Sequence, residues 1–305
     1  MIIILFSLIY ICSSTTFWTM WLGLEMFNFF FIPWLMGDSN NYKSFKIFYY
    51  FVIQVIGSGL MLIGMVDITS PVFFYSMFIS LILKLGSFPF HSWVLLVIEK
   101  MDWKKFSFFM TISKMGTVSI MAFFNPTLFF IKFLWGGVLV PFQGLKTMSI
   151  RKMLTFSSIA HMTWIMTAIS INKTLLIFFL LLYWLVFVFT CLMFESKNSL
   201  KDLFHSSNLF WEIFFILCAM GFPPFLGFFP KMLVLKYLCN DSLFLEAFYL
   251  GLTSIIPFYF YIKMIIMMFF CFGFKNISNV YTYKNSKKLL YCMILLFISL
   301  ELFIW

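Results

Sequence analysis

Apolar residues fill this chain in long unbroken runs, and the polar residues gather in short clusters between them. Cutting at those clusters predicts eleven helical spans: 1–14, 16–37, 46–65, 72–98, 105–124, 127–145, 150–170, 174–194, 209–238, 244–270 and 288–304. The runs are continuous and lack the period-two alternation of an outer-membrane barrel, which excludes that architecture. About 20 apolar residues cross a bilayer as a helix, and most of the runs reach that length. The first is short, and only Ser13–Thr16 separates it from the second. Two runs exceed one crossing, and both contain helix breakers: Gly86 and Pro89 in 72–98, and Gly221, Pro223, Pro224, Gly227 and Pro230 in 209–238. Proline removes an intrahelical hydrogen bond and clashes with the preceding turn. In lipid the freed carbonyls need partners, so a broken helix survives only inside protein or beside a water-filled cavity.

Composition sharpens this picture. The 305 residues are 63% hydrophobic and 10% charged, too little polar surface for a water-soluble domain. At roughly 20 residues per crossing, no length remains for an extramembrane domain of ordinary size. The expected fold is all-α: one polytopic membrane bundle of about eleven transmembrane helices. Met1–Cys12 has neither a basic start nor a small-residue cleavage site, so it reads as a helix rather than a secretory signal. The net charge of +10 reads as basic loops on one membrane face, not as a nucleic-acid surface. Alternating sides at each span puts Lys43, Lys46, Lys100, Lys104, Lys105, Lys146, Arg151, Lys152, Lys197, Lys201, Lys275, Lys284, Lys287 and Lys288 on the N-terminal side and only Lys173 clearly opposite. That side is then the cytoplasm or matrix. The six cysteines are scattered singly and read as packing residues. Arg151 is the one arginine among many lysines, phenylalanines and methionines, the drift of an AT-rich genome such as that of an organelle or endosymbiont.

Against this background four ionisable residues stand out near the middle of spans: Glu25, Lys84, Lys114 and Lys231. Each costs roughly 2.5–3.5 kcal/mol at mid-membrane depth, on the order of 10 kcal/mol together, so the default reading is a proton or ion pathway. Lys132 and Lys263 lie nearer span ends and are expected to snorkel to the interface. Burial favours a neutral amine and a nearby carboxylate favours the ammonium, so a lysine balanced between the two can exchange protons. Depth alone makes Glu25 the counter-ion for Lys84. His161 lies mid-span with Ser157 one turn earlier on the same face. It is either a packing histidine held by that serine or a relay element between lysines. His91, His161 and His205 fall in three segments, so no paired haem ligands are expected. No GxGxxG, P-loop or cysteine-rich pattern is present. The expectation is charge movement, with no cofactor and no metal bound by this chain.

Five strings then become recognisable in order: WLGLEMFNFFFIP at 21–33, LKLGSFPFHSW at 83–93, SKMG at 113–116, IRKMLTFSSIAHMTW at 150–164 and GFPPFLGFFPK at 221–231. The ordered set resembles the mitochondrial NADH dehydrogenase subunit 2 family, an antiporter-like membrane component of respiratory complex I. The resemblance implies two inverted five-helix repeats, each with one broken helix and a proton half-channel, joined by a mid-membrane polar axis. It implies proton-translocation roles for Glu25, Lys84, Lys114, Lys231 and His161, with Ser157 in support. It divides a single antiporter-like domain into a first half-channel at about 16–145, a second at about 146–270, and a matrix-side loop with a C-terminal helix at 271–305. Three N-terminal helices of the fourteen in full-length relatives are expected to be missing. Two local departures, Lys146 and Met220-Gly221-Phe222, touch no matched ionisable position. The family places NADH, FMN, iron–sulfur clusters and ubiquinone in partner subunits. It implies neighbouring antiporter-like and accessory membrane-arm subunits and membrane lipids as partners, and no nucleic acid. The implied location is the mitochondrial inner membrane, N-terminus in the matrix and C-terminus in the intermembrane space.

Two other readings share the buried charges. A freestanding cation/proton antiporter would purify alone as a transport-competent particle. A structural spacer would tolerate Met or Leu at the buried lysines, and it leaves their burial cost unexplained.

Overall fold

The computed structural model describes residues 2–37, 41–66, 71–99, 101–124, 130–195, 197–200, 202, 209–223 and 225–275. Twelve helices run through them: α1 (Ile2–Ser13), α2 (Phe17–Met36), α3 (Asn41–Val66), α4 (Pro71–Leu85), α5 (Ser92–Ile98), α6 (Trp103–Phe124), α7 (Phe130–Gly144), α8 (Ile150–Ile171), α9 (Lys173–Met193), α10 (Leu209–Met220), α11 (Phe228–Asn240) and α12 (Phe244–Lys275). The described residues form no β-strand; one isolated bridge joins Ser149 and Ser199. The expected span 288–304, Pro224 and His205 lie outside the described residues, as does the side chain of Lys132.

Helix boundaries follow local chemistry. The faint polar break at Ser13–Thr16 is a real boundary, because Thr16 caps α2 by accepting from the Thr19 amide at 3.4 Å. Asn172 separates α8 from α9 in the same way, its side-chain oxygen accepting from the Thr174 amide at 3.1 Å. Stretches within α3, α6, α8, α9 and α12 (Phe45–Met65, Trp103–Phe124, Ile150–Ile171, Lys173–Met193 and Phe244–Phe269) are long and apolar enough to cross a membrane. Outward faces carry bare apolar side chains such as Phe29, Phe45 and Leu245, as lipid contact requires.

Both overlong runs are broken where their glycines and prolines predicted, between α4 and α5 and between α10 and α11. The two breaks close α4 and α10 with one and the same device. Gly86 and Gly221 take left-handed φ values of 62° and 74°. In α4 the Gly86 amide donates to Leu83 and the Ser87 amide to Ile82, at 3.1 and 3.3 Å. In α10 the Gly221 amide donates to Cys218 and the Phe222 amide to Leu217, at 3.2 and 3.3 Å. This is the Schellman closure, which satisfies carbonyls orphaned by a helix end. Side chains add more: the Trp93 indole donates to Leu83 O at 3.2 Å and the Gln54 amide to Lys84 O at 3.4 Å.

α8 lies at the centre of the bundle. It packs against α5, α6, α7, α9, α11 and α12, and 89% of its apolar window is buried. Its N-terminal end is strapped down by charge. Glu99, just past α5, pairs with Lys46 at 2.7 Å and with Lys152 of α8. Hydrogen bonds from Lys152 and Lys46 hold the Glu99 carboxyl down at about 2. Arg151 donates to Met101 O and Asn198 Oδ1, and its guanidinium lies 5.3 Å from the centre of the Trp103 ring. Beyond that strap a buried pair, Lys197–Glu212, fixes the start of α10.

Candidate functional site

The ionisable residues expected from the sequence fall into two groups around this frame. The first is Glu25 of α2 with Lys84 in the last turn of α4. Their charged atoms are 3.4 Å apart, so the pairing inferred from depth is the one the fold makes. The two partners are not equally enclosed, which corrects the reading of Glu25 as a buried group. The Lys84 side chain is 1% exposed, whereas that of Glu25 is 32% exposed. Glu25 lines a cleft of about 570 Å³ between α1, α2 and α3, walled mostly by residues such as Phe6, Leu22, Phe29 and Phe51. A sequence position at mid-span gives depth along a helix but not distance from the bundle's rim.

The second group surrounds α8. Lys114 of α6 is buried and donates to Ser158 Oγ at 3.4 Å. Ser158 in turn donates to Thr155 O at 2.7 Å. Ser157, expected to support His161, is instead taken by α12: the Tyr261 hydroxyl shares a hydrogen bond with its Oγ at 2.8 Å, and Ser157 donates to Leu154 O. The serine that meets a lysine is therefore Ser158. His161 is buried, close to the Ala219 backbone, with its Nδ1 unpartnered among the described residues. The aromatic ring of Tyr183 from α9 lies over it, centroids 4.9 Å apart. Lys231, in the first turn of α11, reaches back across the second break to Met220 O at 3.2 Å and sits 5.9 Å from the Trp164 ring centre.

His161, Tyr183, Lys231 and Tyr261 all line one small cavity, closed by Cys218 and Ala219, of about 20 Å³. That exceeds the roughly 10–15 Å³ a single water needs. No hydrogen bond among the described residues joins Lys84 directly to Lys114. Lys84 and Lys231 also stand on opposite halves of their breaks, one before Gly86 and the other after Gly221. They are not equivalent positions of a repeat, although the two Schellman closures are alike.

Sequence reasoning missed Ser158, Tyr183 and Tyr261. Helical serines usually satisfy themselves on the preceding turn, as most here do, so a serine alone is a faint signal. Two mid-span tyrosines were the better clue, since a buried hydroxyl needs a partner. No cluster of His, Cys, Asp or Glu among the described residues has the arrangement of a metal site.

Comparison with known proteins follows the same lines. The family described as NADH:quinone oxidoreductase/Mrp antiporter, TM, matches residues 67–257. NADH-ubiquinone oxidoreductase chain 2 of Anopheles gambiae is 30% identical, over 98% of this chain and 94% of its own. The protein of that name from Artemia franciscana is 29% identical, over 87% and 88%. Among solved structures, a chain of respiratory complex I from Thermus thermophilus superposes with a TM-score of 0.83 at 17% identity, covering 98% of this chain and 76% of that one. A chain of the Mrp complex from Dietzia superposes with a TM-score of 0.74 at 15% identity, covering 94% and 61%.

Proposed function

This chain belongs to the NADH:quinone oxidoreductase/Mrp antiporter family, and from that membership we propose that it is a proton-translocating membrane-arm subunit of mitochondrial respiratory complex I. NADH oxidation and quinone reduction take place in other subunits, and this chain binds none of their cofactors. It crosses the inner membrane eleven times, with the N-terminus in the matrix and two half-channels meeting near residue 145.

The observation that carries the reading is the placement of lysines beside groups that can exchange a proton with them. Lys84 has a carboxylate at 3.4 Å, and an approaching or departing Glu25 changes which protonation state the buried amine prefers. Among the described residues Lys114 has a serine hydroxyl at 3.4 Å and no carboxylate, and that hydroxyl can pass a proton but not stabilise a lasting ammonium. Lys231 rests on a carbonyl at 3.2 Å beside a cavity shared with His161. In our reading, Lys114 gives its proton toward α8, His161 receives it through water, and Lys231 takes it on toward the second break. The Glu25–Lys84 pair is the two-state element that distant redox chemistry biases, as coupling between separated sites requires.

Affinity isolation of the chain tests this. A particle that oxidises NADH and reduces quinone supports it. Recovery of the chain alone, stable and exchanging cations for protons in vesicles, would establish the freestanding antiporter instead.

A further inference from the structure

Resting on that reading, we propose that Tyr183 is a positioning residue of the relay: its hydroxyl holds one water in the cavity beside His161 and hands protons between Ser158 and that water. Three observations meet at this side chain. Its hydroxyl oxygen is buried and has no hydrogen-bond partner among the described residues, a costly arrangement for packing alone. The Ser158 hydroxyl, the same one that accepts from Lys114, acts on it as a hydrogen-bonding neighbour. Its ring lines the cavity of about 20 Å³ together with His161, Lys231 and Tyr261.

The orphan atoms define what the cavity is built to hold. His161 Nδ1 and the Tyr183 hydroxyl are both unpartnered among the described residues, and both residues line the same cavity. A buried water makes about three hydrogen bonds to groups otherwise unsatisfied. One water there would meet both orphans and lie next to the Lys231 amine. Apolar occupants would leave both polar atoms unpaired, so water is the ligand class that fits. A hydroxyl both donates and accepts, so once Ser158 turns its hydrogen away from Thr155 O, Tyr183 can take a hydrogen bond from it while donating to the water and then reverse both. Proton passage then proceeds by exchange of O–H bonds, one forming as one breaks, and the tyrosine ends neutral. Tyr261 is placed differently: its hydroxyl donates to Ser157 at 2.8 Å, not to the serine that meets Lys114.

The test uses the assembled complex reconstituted in vesicles, with Tyr183→Phe compared against Lys114→Met and His161→Ala. Removing one oxygen from Tyr183 should slow coupled proton translocation by on the order of 100-fold, the lower edge of what a placed proton-transferring group supplies. The complex should still assemble, with at most a small drop in melting temperature as the hydroxyl's hydrogen bonds to water and Ser158 are lost. Infrared difference spectra should lose one water O–H band that shifts in H2¹⁸O, and Tyr183→His should recover part of the rate. Wild-type translocation in Tyr183→Phe, with Lys114→Met and His161→Ala both impaired, would overturn the role of Tyr183 and leave the relay standing. Unimpaired translocation in all three would overturn the relay itself. A Tyr183→Phe complex that fails to assemble would make the hydroxyl a packing group and also overturn the proposal.

Discussion

Breaking the Glu25–Lys84 pair is the most informative perturbation, because its two ends are enclosed so differently. At 3.4 Å, two unit charges attract by about 5 kcal/mol at an effective dielectric constant of about 20. Part of that is lost because the Glu25 side chain is 32% exposed, which lowers the figure to about 3 kcal/mol, the low end for breaking a buried pair. If the pair forms in one state of the translocation cycle and opens in the other, losing it removes up to that amount from the switch. At 1.36 kcal/mol per tenfold, coupled quinone reduction should fall by up to about 100-fold in either Glu25→Gln or Lys84→Met. Stability should respond unequally. Glu25→Gln leaves an amine that is 1% exposed without its carboxylate, whereas Lys84→Met leaves a carboxylate opening onto a cleft. Thermal melts of the complex should therefore place Glu25→Gln below Lys84→Met. The assay is a double-mutant cycle on NADH-driven quinone reduction and vesicle acidification. The double variant should be close to Lys84→Met alone, giving a coupling energy near 3 kcal/mol in the cycle. Wild-type coupled turnover in either assembled single variant, or strictly additive losses, would refute a charge switch.

Three further outcomes follow from the geometry. Lys114→Arg should block translocation while the complex assembles, because arginine keeps its proton; full activity would reduce position 114 to a fixed charge. Gly221→Ala should cost about 1–2 kcal/mol of stability and slow coupled turnover. Its φ is 74°, and the added Cβ would meet the Lys231 amine at 2.9 Å and Gly227 O at 3.0 Å, whereas Gly251→Ala, inside α12 with nothing within 4 Å, should hold or gain up to about 1 kcal/mol; equal melts for the two would refute this. For Glu99 the folded value of about 2 lies below its ordinary 4.5, so the strap's contribution is complete above pH 4.5 and is lost as pH falls toward 2. Melts of the wild-type complex should show no loss from this strap between pH 7 and 5, and Glu99→Gln should cost roughly 1 kcal/mol at pH 7. A wild-type-minus-Gln difference that already shrinks at pH 6 would contradict the assignment.

The parts of this molecule that were legible in its sequence are those with a large cost attached. Proline and glycine inside Leu81–His91 and Gly221–Lys231 announced the two breaks, because a membrane helix cannot carry such residues without rearranging its backbone. Glu25, Lys84, Lys114 and Lys231 announced themselves by the price of charge in lipid. What stayed hidden depends on which helices face each other. Periodicity places Ser157 and His161 on one face of α8, yet it does not say that α12 brings Tyr261 to Ser157 while α6 brings Lys114 to Ser158. Likewise Glu25 reads as interior from its position along α2, and only the packing of α1 and α3 shows that it borders an open cleft. The shared Schellman closures at Gly86 and Gly221 needed φ values that no composition supplies.

Lys114→Met tests at a single side chain whether protons pass through this chain beside α8. Complex carrying that variant, purified intact and reconstituted in sealed vesicles, would be assayed at once for NADH oxidation and for lumenal acidification. The wild-type particle should acidify the lumen as NADH is consumed, and the variant should lose coupled acidification while its subunits remain assembled. Undiminished acidification per NADH oxidised, at the wild-type rate, would contradict it.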